Sequence, residues 1–298
     1  MPNIDLYQQL LLQFEAAWNG LRDKPEENPA NTVKALWLTA CGQPVSTQEA
    51  ETCELPALDE SSRRRLSELI EARLSGTPLS YLSGRQKFMG IDFIAAPQAM
   101  IPRRETEILG RAALSILQQM AQERGAVRVM DLCTGSGNLL LTLVHFVTSA
   151  SGVGSDLSPD AIELAVKNGE HLSLSERAQF RSGDLFAPFE STEFYNQFDL
   201  VMCNPPYIGS KTLKTMAPEI IGFEPHLAFD GGPFGIQVLT RLIKNAPRFL
   251  KAGSWVCFEM GMGQGDGIAR MLKKMPEYSV IRTFTDDEGK IRALAAKI

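Results

Sequence analysis

Phe198-Asp199-Leu200-Val201-Met202-Cys203-Asn204-Pro205-Pro206-Tyr207 carries the reading of this chain. The first six residues form an apolar run, and the double proline stops it abruptly, the pattern of a buried strand with a sharp end. Two prolines fix two φ angles and remove two backbone donors, so the segment is rigid and its carbonyls are available. Asn204 and Tyr207 flank that turn with a planar amide and an aromatic face. Such a pair suits a clamp for another planar hydrogen-bonding group, an amide or an amino-substituted base. The same four residues also fit a plain strand end with an Asx turn, so the rest of the chain must decide.

Upstream and downstream, strands and helices alternate. Val127-Arg128-Val129-Met130-Asp131-Leu132 reads as a strand, Leu139 to Val147 as a helix and Val153 to Asp156 as a second strand. Pro159 to about His171 follows as a helix, with strands at Ala178 to Ser182 and Phe198 to Cys203. A helix from about Phe234 to Leu250, a strand from Ser254 to Met260 and a helix from Gln264 to Met275 come next. Two final β-like runs, Tyr278 to Phe284 and Lys290 to Ala296, flank a turn at Asp286-Asp287-Glu288-Gly289. Alternation of this kind predicts an α/β fold with a parallel sheet and right-handed crossovers, closed by an antiparallel hairpin.

The first 85 residues read as helical instead. Ile4, Tyr7, Leu10, Leu11, Phe14, Ala17, Trp18 and Leu21 recur at helical spacing, Val33, Leu36, Trp37 and Ala40 make a second stripe, and a third runs from an N-cap at Asp59 or Ser61 to Gly76. Residues 86–101 read as a β-hairpin linker around Phe88, Gly90 and Phe93. The expected organisation is therefore a helical domain over 1–85, the linker over 86–101 and the α/β domain over 102–298.

Bulk composition narrows the function classes. A 298-residue chain with 44% hydrophobic and 22% charged residues has material for a substantial core and fits a globular protein. A net charge of −5 and no basic block beyond Arg63-Arg64-Arg65 argue against stable nucleic-acid binding. The five cysteines are odd in number and lack a CxxC pair, so a reduced interior is expected rather than a disulfide framework, and no metal site. The N-terminus shows no basic region ahead of an apolar core, and no run reaches membrane-spanning length. A soluble, cytoplasmic protein without a membrane partner, and a monomer, is the expectation.

Three strand ends describe a pocket. Cys133-Thr134-Gly135-Ser136-Gly137 follows the first strand and opens a helix, where bare backbone and free N–H groups meet a ligand. It is neither GxGxxG, because Leu140 stands at the third glycine position, nor a P-loop. Asp156-Leu157 ends the second strand, where a carboxylate suits two ribose hydroxyls; a solvated helix cap at Asp-Leu-Ser-Pro is the lesser alternative. Asp184-Leu185 after the third strand places an acceptor and an apolar wall for an adenine ring. In order, these elements describe a pocket for S-adenosyl-L-methionine, with S-adenosyl-L-homocysteine as product.

With Asn204-Pro205-Pro206-Tyr207 at the fourth strand end, residues 73–298 closely resemble the HemK/PrmC family of protein glutamine-N5 methyltransferases. The resemblance is carried by Gly76-Thr77-Pro78-Leu79-Ser80-Tyr81-Leu82-Ser83-Gly84, Ile101-Pro102-Arg103-Arg104-Glu105-Thr106-Glu107, the glycine loop and Asp156-Leu157-Ser158-Pro159. Gly183-Asp184-Leu185-Phe186, the stretch from Glu224 through Asp230-Gly231-Gly232-Pro233-Phe234-Gly235, and Glu259-Met260-Gly261-Met262-Gly263-Gln264 extend it.

The resemblance implies a Rossmann-like S-adenosylmethionine-dependent methyltransferase fold with a mostly parallel seven-stranded sheet, and a helical N-terminus that docks the substrate. It implies methyl transfer to a glutamine side-chain amide, with the Gly-Gly-Gln glutamine of class I peptide chain release factors as the acceptor expected first. A ribosomal protein, another protein, a small molecule, or adenine-N6 of DNA are the alternatives. The linker departs from the release-factor pattern at Arg104, where Pro is usual, and the glycine loop at Cys133, where Gly is common.

Within that frame Asn204, Pro205 and Tyr207 are the expected catalytic residues and Asn204, Pro205, Pro206 and Tyr207 hold the substrate. Cys133, Thr134, Gly135, Ser136, Gly137, Asp156, Leu157, Asp184, Leu185 and Asn204 hold the cofactor. The Asn204 oxygen and Pro205 carbonyl would each accept one amide N–H while Tyr207 stacks on the amide plane. No catalytic base is required, so His145, His171 and His226 read as structural. Arg103, Glu105 and Glu107 either brace the motif loop or form a solvated charge cluster.

Overall fold

The computed structural model describes residues 2–17, 24, 26–210 and 222–298. They divide into two compact units, residues 2–97 with 222–224, and residues 98–210 with 225–298. Trp18 and Leu21 of the first helical stripe lie outside the described residues.

In the first unit, helices α1 (Pro2–Ala17), α2 (Pro29–Ala40), α3 (Thr47–Ala50), α4 (Glu60–Leu74) and α5 (Leu79–Ser83) precede an antiparallel hairpin of β1 (Arg85–Phe88) and β2 (Ile91–Ile94). Helix starts follow side-chain caps: Asn28 accepts from the Asn31 amide, and Asp59 from the Ser62 amide at 2.7 Å. The core gathers on α2, where Val33, Leu36 and Trp37 are fully buried against Leu10, Phe14, Leu66 and Ile70. The Trp37 indole N–H, which needs a partner once buried, donates to the Pro56 carbonyl at 2.9 Å. The stripe of α1 is narrower than its sequence indicates, because Ile4 and Ala17 are exposed.

The second unit is built on a seven-stranded sheet. Its strands are β3 (Val127–Leu132), β4 (Ala150–Asp156), β5 (Ala178–Ser182), β6 (Phe198–Cys203), β7 (Leu250–Glu259), β8 (Val280–Thr285) and β9 (Ile291–Lys297). Their order across the sheet is β5-β4-β3-β6-β7-β9-β8, parallel from β5 to β7, with β9 antiparallel to both β7 and β8. The helices between and before the strands are α6 (Thr106–Arg124), α7 (Asn138–Phe146), α8 (Pro159–His171), α9 (Gln237–Asn245) and α10 (Gly265–Leu272). The chain leaves β3 toward β4 and β5 but returns to its other side at β6. The crossovers diverge there, which opens a crevice at the carboxyl ends of β3 and β6.

Of the elements expected in the second unit, two differ most from the sequence reading, for identifiable reasons. The helix expected from Phe234 begins at Gln237, because Gly235 has φ of +69° and breaks the run before it. It ends at Asn245, where Pro247 cannot donate and the chain tightens into a 3₁₀ turn, Ala246–Arg248. Strand β7 then starts at Leu250 rather than Ser254, with a register shift opposite Phe198/Leu200.

The amino-terminal edge of the sheet is electrostatically closed. Asp199, fully buried near the start of β6, accepts from Arg124 at 2.7 Å, from Lys251 at 2.7 Å and from the Arg128 amide at 2.8 Å. Full pairing is what a buried carboxylate requires. In the helical unit, Trp37→Ala should lower unfolding free energy by about 3–5 kcal/mol, since it empties a fully buried site. Urea denaturation followed by circular dichroism measures it.

Candidate active site

The crevice at the β3/β6 divergence holds a cavity of about 300 Å³. Its wall brings together Cys133, Thr134, Gly135 and Ser136 after β3, Asp156 and Leu157 after β4, Asp184 and Leu185 after β5, and Asn204 and Pro206 after β6. Three residues expected in the site are not on this wall. Gly137 lies under the loop, where a Cβ would meet Phe180, Leu141 and Ala165 at 3.0–3.2 Å, so its smallness serves packing. Pro205 is buried, and Tyr207 turns away toward β7. No histidine is on the wall among the described residues.

The glycine loop is tied down by two acids. Thr134 donates its hydroxyl to Asp131 Oδ2 at 2.6 Å, and the Gly135 amide donates to Asp156 Oδ2 at 2.9 Å. Asp131 is completely buried, and burial outweighs the Thr134 bond and raises its pKa to about 7. Its Oδ1 has no hydrogen-bond partner among the described residues. Asp156 also accepts from the Ser158 amide at 2.9 Å, and burial raises its pKa above the ordinary carboxylate range. Capping of α8 falls to Ser158, whose hydroxyl accepts from the Ala161 amide. Asp156 is thereby left to bridge two backbone amides at the cavity. Asp184 meets the Arg241 guanidinium at 2.7 Å, a half-exposed pair at the cavity wall.

Around Asn204-Pro205-Pro206-Tyr207 three polar groups have defined partners, Asn204 Nδ2 and the Tyr207 hydroxyl and carbonyl. Asn204 Nδ2 donates to Thr106 Oγ1 at 3.0 Å, from the first turn of α6. Tyr207 donates its phenol hydrogen to Glu259 Oε1 at 3.0 Å, and burial drives the phenol pKa up. A buried phenol needs a polar partner, and the acid ending β7 supplies one, which takes Tyr207 off the cavity wall. Glu259 is itself fully buried, with its pKa raised to about 7, burial being the chief cause. Gln264 donates to the Tyr207 carbonyl at 3.2 Å and the Gly235 carbonyl at 3.3 Å, while its Oε1 takes the Gly261 amide at 2.9 Å. Gly235 presses on the Tyr207 carbonyl so closely that a Cβ there would overlap it.

Four residues of this region received no role from the sequence. Gln98 and Arg241 reach the cavity from distant segments. Thr106 lies in a charged stretch with Arg103, Glu105 and Glu107, of which Glu107 pairs with Arg111 at 2.7 Å on the helix surface. Glu259 had a readable signal: an acid closing an apolar strand at the carboxyl edge of a parallel sheet.

Comparison with known proteins agrees with this architecture. A family model for a methyltransferase domain matches residues 123–278. The catalytic domain of hMettl16, solved with a MAT2A 3′UTR hairpin, shares the fold at a TM-score of 0.53 and 15% identity, over 82% of this chain and 83% of that one. Fold and site thus define a methyltransferase. More narrowly, the chain belongs to the release factor glutamine methyltransferase family. It is 32% identical to the Moorella thermoacetica member over 78% of this chain and 79% of that protein. For the Bradyrhizobium diazoefficiens member the identity is 33%, over 85% and 82%.

Two predictions follow from the geometry. Between about pH 4 and about pH 7 folded Asp131 holds a proton that the unfolded chain lacks, so this group makes stability fall as pH rises across that window. Asp131→Asn should flatten the slope by up to about 1.4 kcal/mol per pH unit, read from denaturant titrations at pH 5, 6 and 7. Gly235→Ala should displace the Tyr207 carbonyl and lower turnover strongly, with cofactor affinity by calorimetry far less affected.

Proposed function

We propose that this enzyme transfers a methyl group from S-adenosyl-L-methionine to the side-chain amide nitrogen of the Gly-Gly-Gln glutamine of class I peptide chain release factors. The observation that carries the reading is the committed Asn204 amide. Its Nδ2 is engaged by Thr106, so Oδ1 is the end left to accept an N–H at the cavity.

The residues on the cavity wall fit the cofactor. Each Asp156 oxygen takes one backbone N–H and keeps lone-pair capacity for ribose hydroxyls. Nothing lies within 4 Å of where a Gly135 Cβ would stand, so bare backbone faces the ligand. Leu157 and Leu185 supply apolar walls, and Asp184 an acceptor. Cys133, Thr134 and Ser136 complete the holding set, with Gly137 shaping the loop from beneath. Bound there, the cofactor supplies an electrophilic methyl group on a sulfonium.

An amide nitrogen is a weak nucleophile because its lone pair is delocalised into the carbonyl. Asn204 Oδ1 and the Pro205 carbonyl each accept one N–H of the glutamine amide and aim its nitrogen at the methyl. Positioning of this kind is worth up to about 7–11 kcal/mol in well-oriented reactions. Pro206 lines the substrate path, and Tyr207 holds the loop rather than stacking on the substrate. Methylation makes the nitrogen strongly acidic, so its extra proton leaves to water and no histidine is required. The helical unit, whose core carries no catalytic groups, is assigned to docking the protein substrate. The setting is the cytoplasm, with no membrane or stable nucleic-acid partner and a monomeric enzyme; among the described residues no helix is long and apolar enough to cross a membrane.

Incubation with a recombinant class I release factor and S-adenosyl-L-methionine, followed by peptide mass spectrometry, should show one added methyl on the Gly-Gly-Gln glutamine. No gain, with cofactor binding confirmed by calorimetry, would refute this acceptor. Asn204→Ala should abolish the gain and leave cofactor affinity largely intact; full activity in that variant would contradict the clamp.

A further inference from the structure

Gln264 stitches three backbone segments together behind the Asn-Pro-Pro-Tyr turn. Its Oε1 accepts the Gly261 N–H at 2.9 Å, from the turn that follows β7. Its Nε2 donates to the Tyr207 carbonyl at 3.2 Å, the Gly235 carbonyl at 3.3 Å and, more weakly, the Phe234 carbonyl at 3.5 Å. Every partner is a main-chain group of fixed kind, an N–H on one side and carbonyls on the other. The amide therefore has one orientation that satisfies all of them.

The Asn-Pro-Pro-Tyr turn needs such an outside brace. Pro205 and Pro206 have no N–H, so two successive residues have nothing to donate to the backbone around them. Downstream, the Ile208 N–H donates to the Phe229 carbonyl at 3.0 Å and its carbonyl accepts from the Gly231 N–H at 2.9 Å. Those bonds hold the exit of the turn to the segment 229–235. That segment also backs the turn directly, since a Cβ on Gly231 would meet the Pro206 carbonyl oxygen at 2.6 Å. On the other side, a Cβ on Gly261 would meet the Tyr207 ring at 3.2 Å and Gln264 Oε1 at 3.3 Å. Gln264 is the side chain that joins both neighbours to the Tyr207 carbonyl.

We infer that Gln264 is a positioning residue: it fixes the Asn-Pro-Pro-Tyr turn against the end of β7, and so aims the Asn204 oxygen and Pro205 carbonyl. Its effect on turnover rests on the proposed clamp and glutamine acceptor; the brace itself rests only on these bonds. The place demands a group that donates and accepts at once. Lysine would leave the Gly261 N–H without an acceptor. Glutamate would keep that bond but turn a second oxygen toward three carbonyls, where only a donor is accommodated.

The test uses the full-length enzyme with Gln264→Glu, which keeps size and shape, and Gln264→Met, which keeps length without polar groups. Both should lower kcat on the order of 100-fold, with KM for the release factor and S-adenosyl-L-homocysteine affinity unchanged. A residue that only fills space would tolerate the glutamate. A readout independent of any acceptor is also at hand, because Tyr207 is the only tyrosine followed by isoleucine. Labelling tyrosine with ¹³C at the carbonyl and isoleucine with ¹⁵N gives a single cross-peak, from the Tyr207–Ile208 peptide. Its carbonyl resonance should move upfield in both variants as the hydrogen bond is lost. That shift in an enzyme whose wild type is inactive on release factor would sink the acceptor assignment and leave the brace standing. Near-normal kcat in Gln264→Glu, an unmoved Tyr207 carbonyl, or loss of S-adenosyl-L-homocysteine binding in both variants would overturn the positioning role.

Discussion

The reversal of strand order between β3 and β6 is the constraint on which everything else depends. Two adjacent parallel strands whose crossovers depart to opposite sides cannot have their carboxyl ends covered by the same connection. The crevice is thus a consequence of topology, and the loops after β3, β4, β5 and β6 line it because the strands are in register. The loops after β3, β4 and β5 and the Asn-Pro-Pro-Tyr turn are the two banks of one gap.

The two edges of the sheet treat buried charge in opposite ways. At the amino edge, both oxygens of Asp199 are filled by Arg124, Arg128 and Lys251, which makes that end rigid. At the carboxyl edge, Asp131 Oδ1 and Glu259 Oε2 are buried without hydrogen-bond partners among the described residues, and both acids are pushed to about 7. Such groups cost stability in the ionised form. The sheet is fully paired at its amino edge and left under-satisfied at the edge that carries the crevice.

The sequence made the strands and their ends legible because the physics there is local. β3 and β6 coincide with largely apolar runs that end at the glycine loop and at the double proline, so hydrophobic patterning and backbone restriction point to the same residues. The Asn-Pro-Pro-Tyr turn was legible for the same reason. The directions of side chains were not: Tyr207 reads as an aromatic facing the substrate, yet its phenol finds Glu259, 52 positions away in the chain. Thr106 likewise acquires meaning only through Asn204, 98 positions distant. Long-range hydrogen bonds leave no periodic trace, and an acid ending an apolar strand was the single clue to the network.

A co-crystal structure with S-adenosyl-L-homocysteine and a Gly-Gly-Gln peptide tests the central claim most directly. The glutamine amide nitrogen is predicted within hydrogen-bond distance of Asn204 Oδ1 and the Pro205 carbonyl, with Asn204 Nδ2 still on Thr106. A glutamine held elsewhere, or an Asn204 amide turned to face the peptide with its nitrogen, would contradict it.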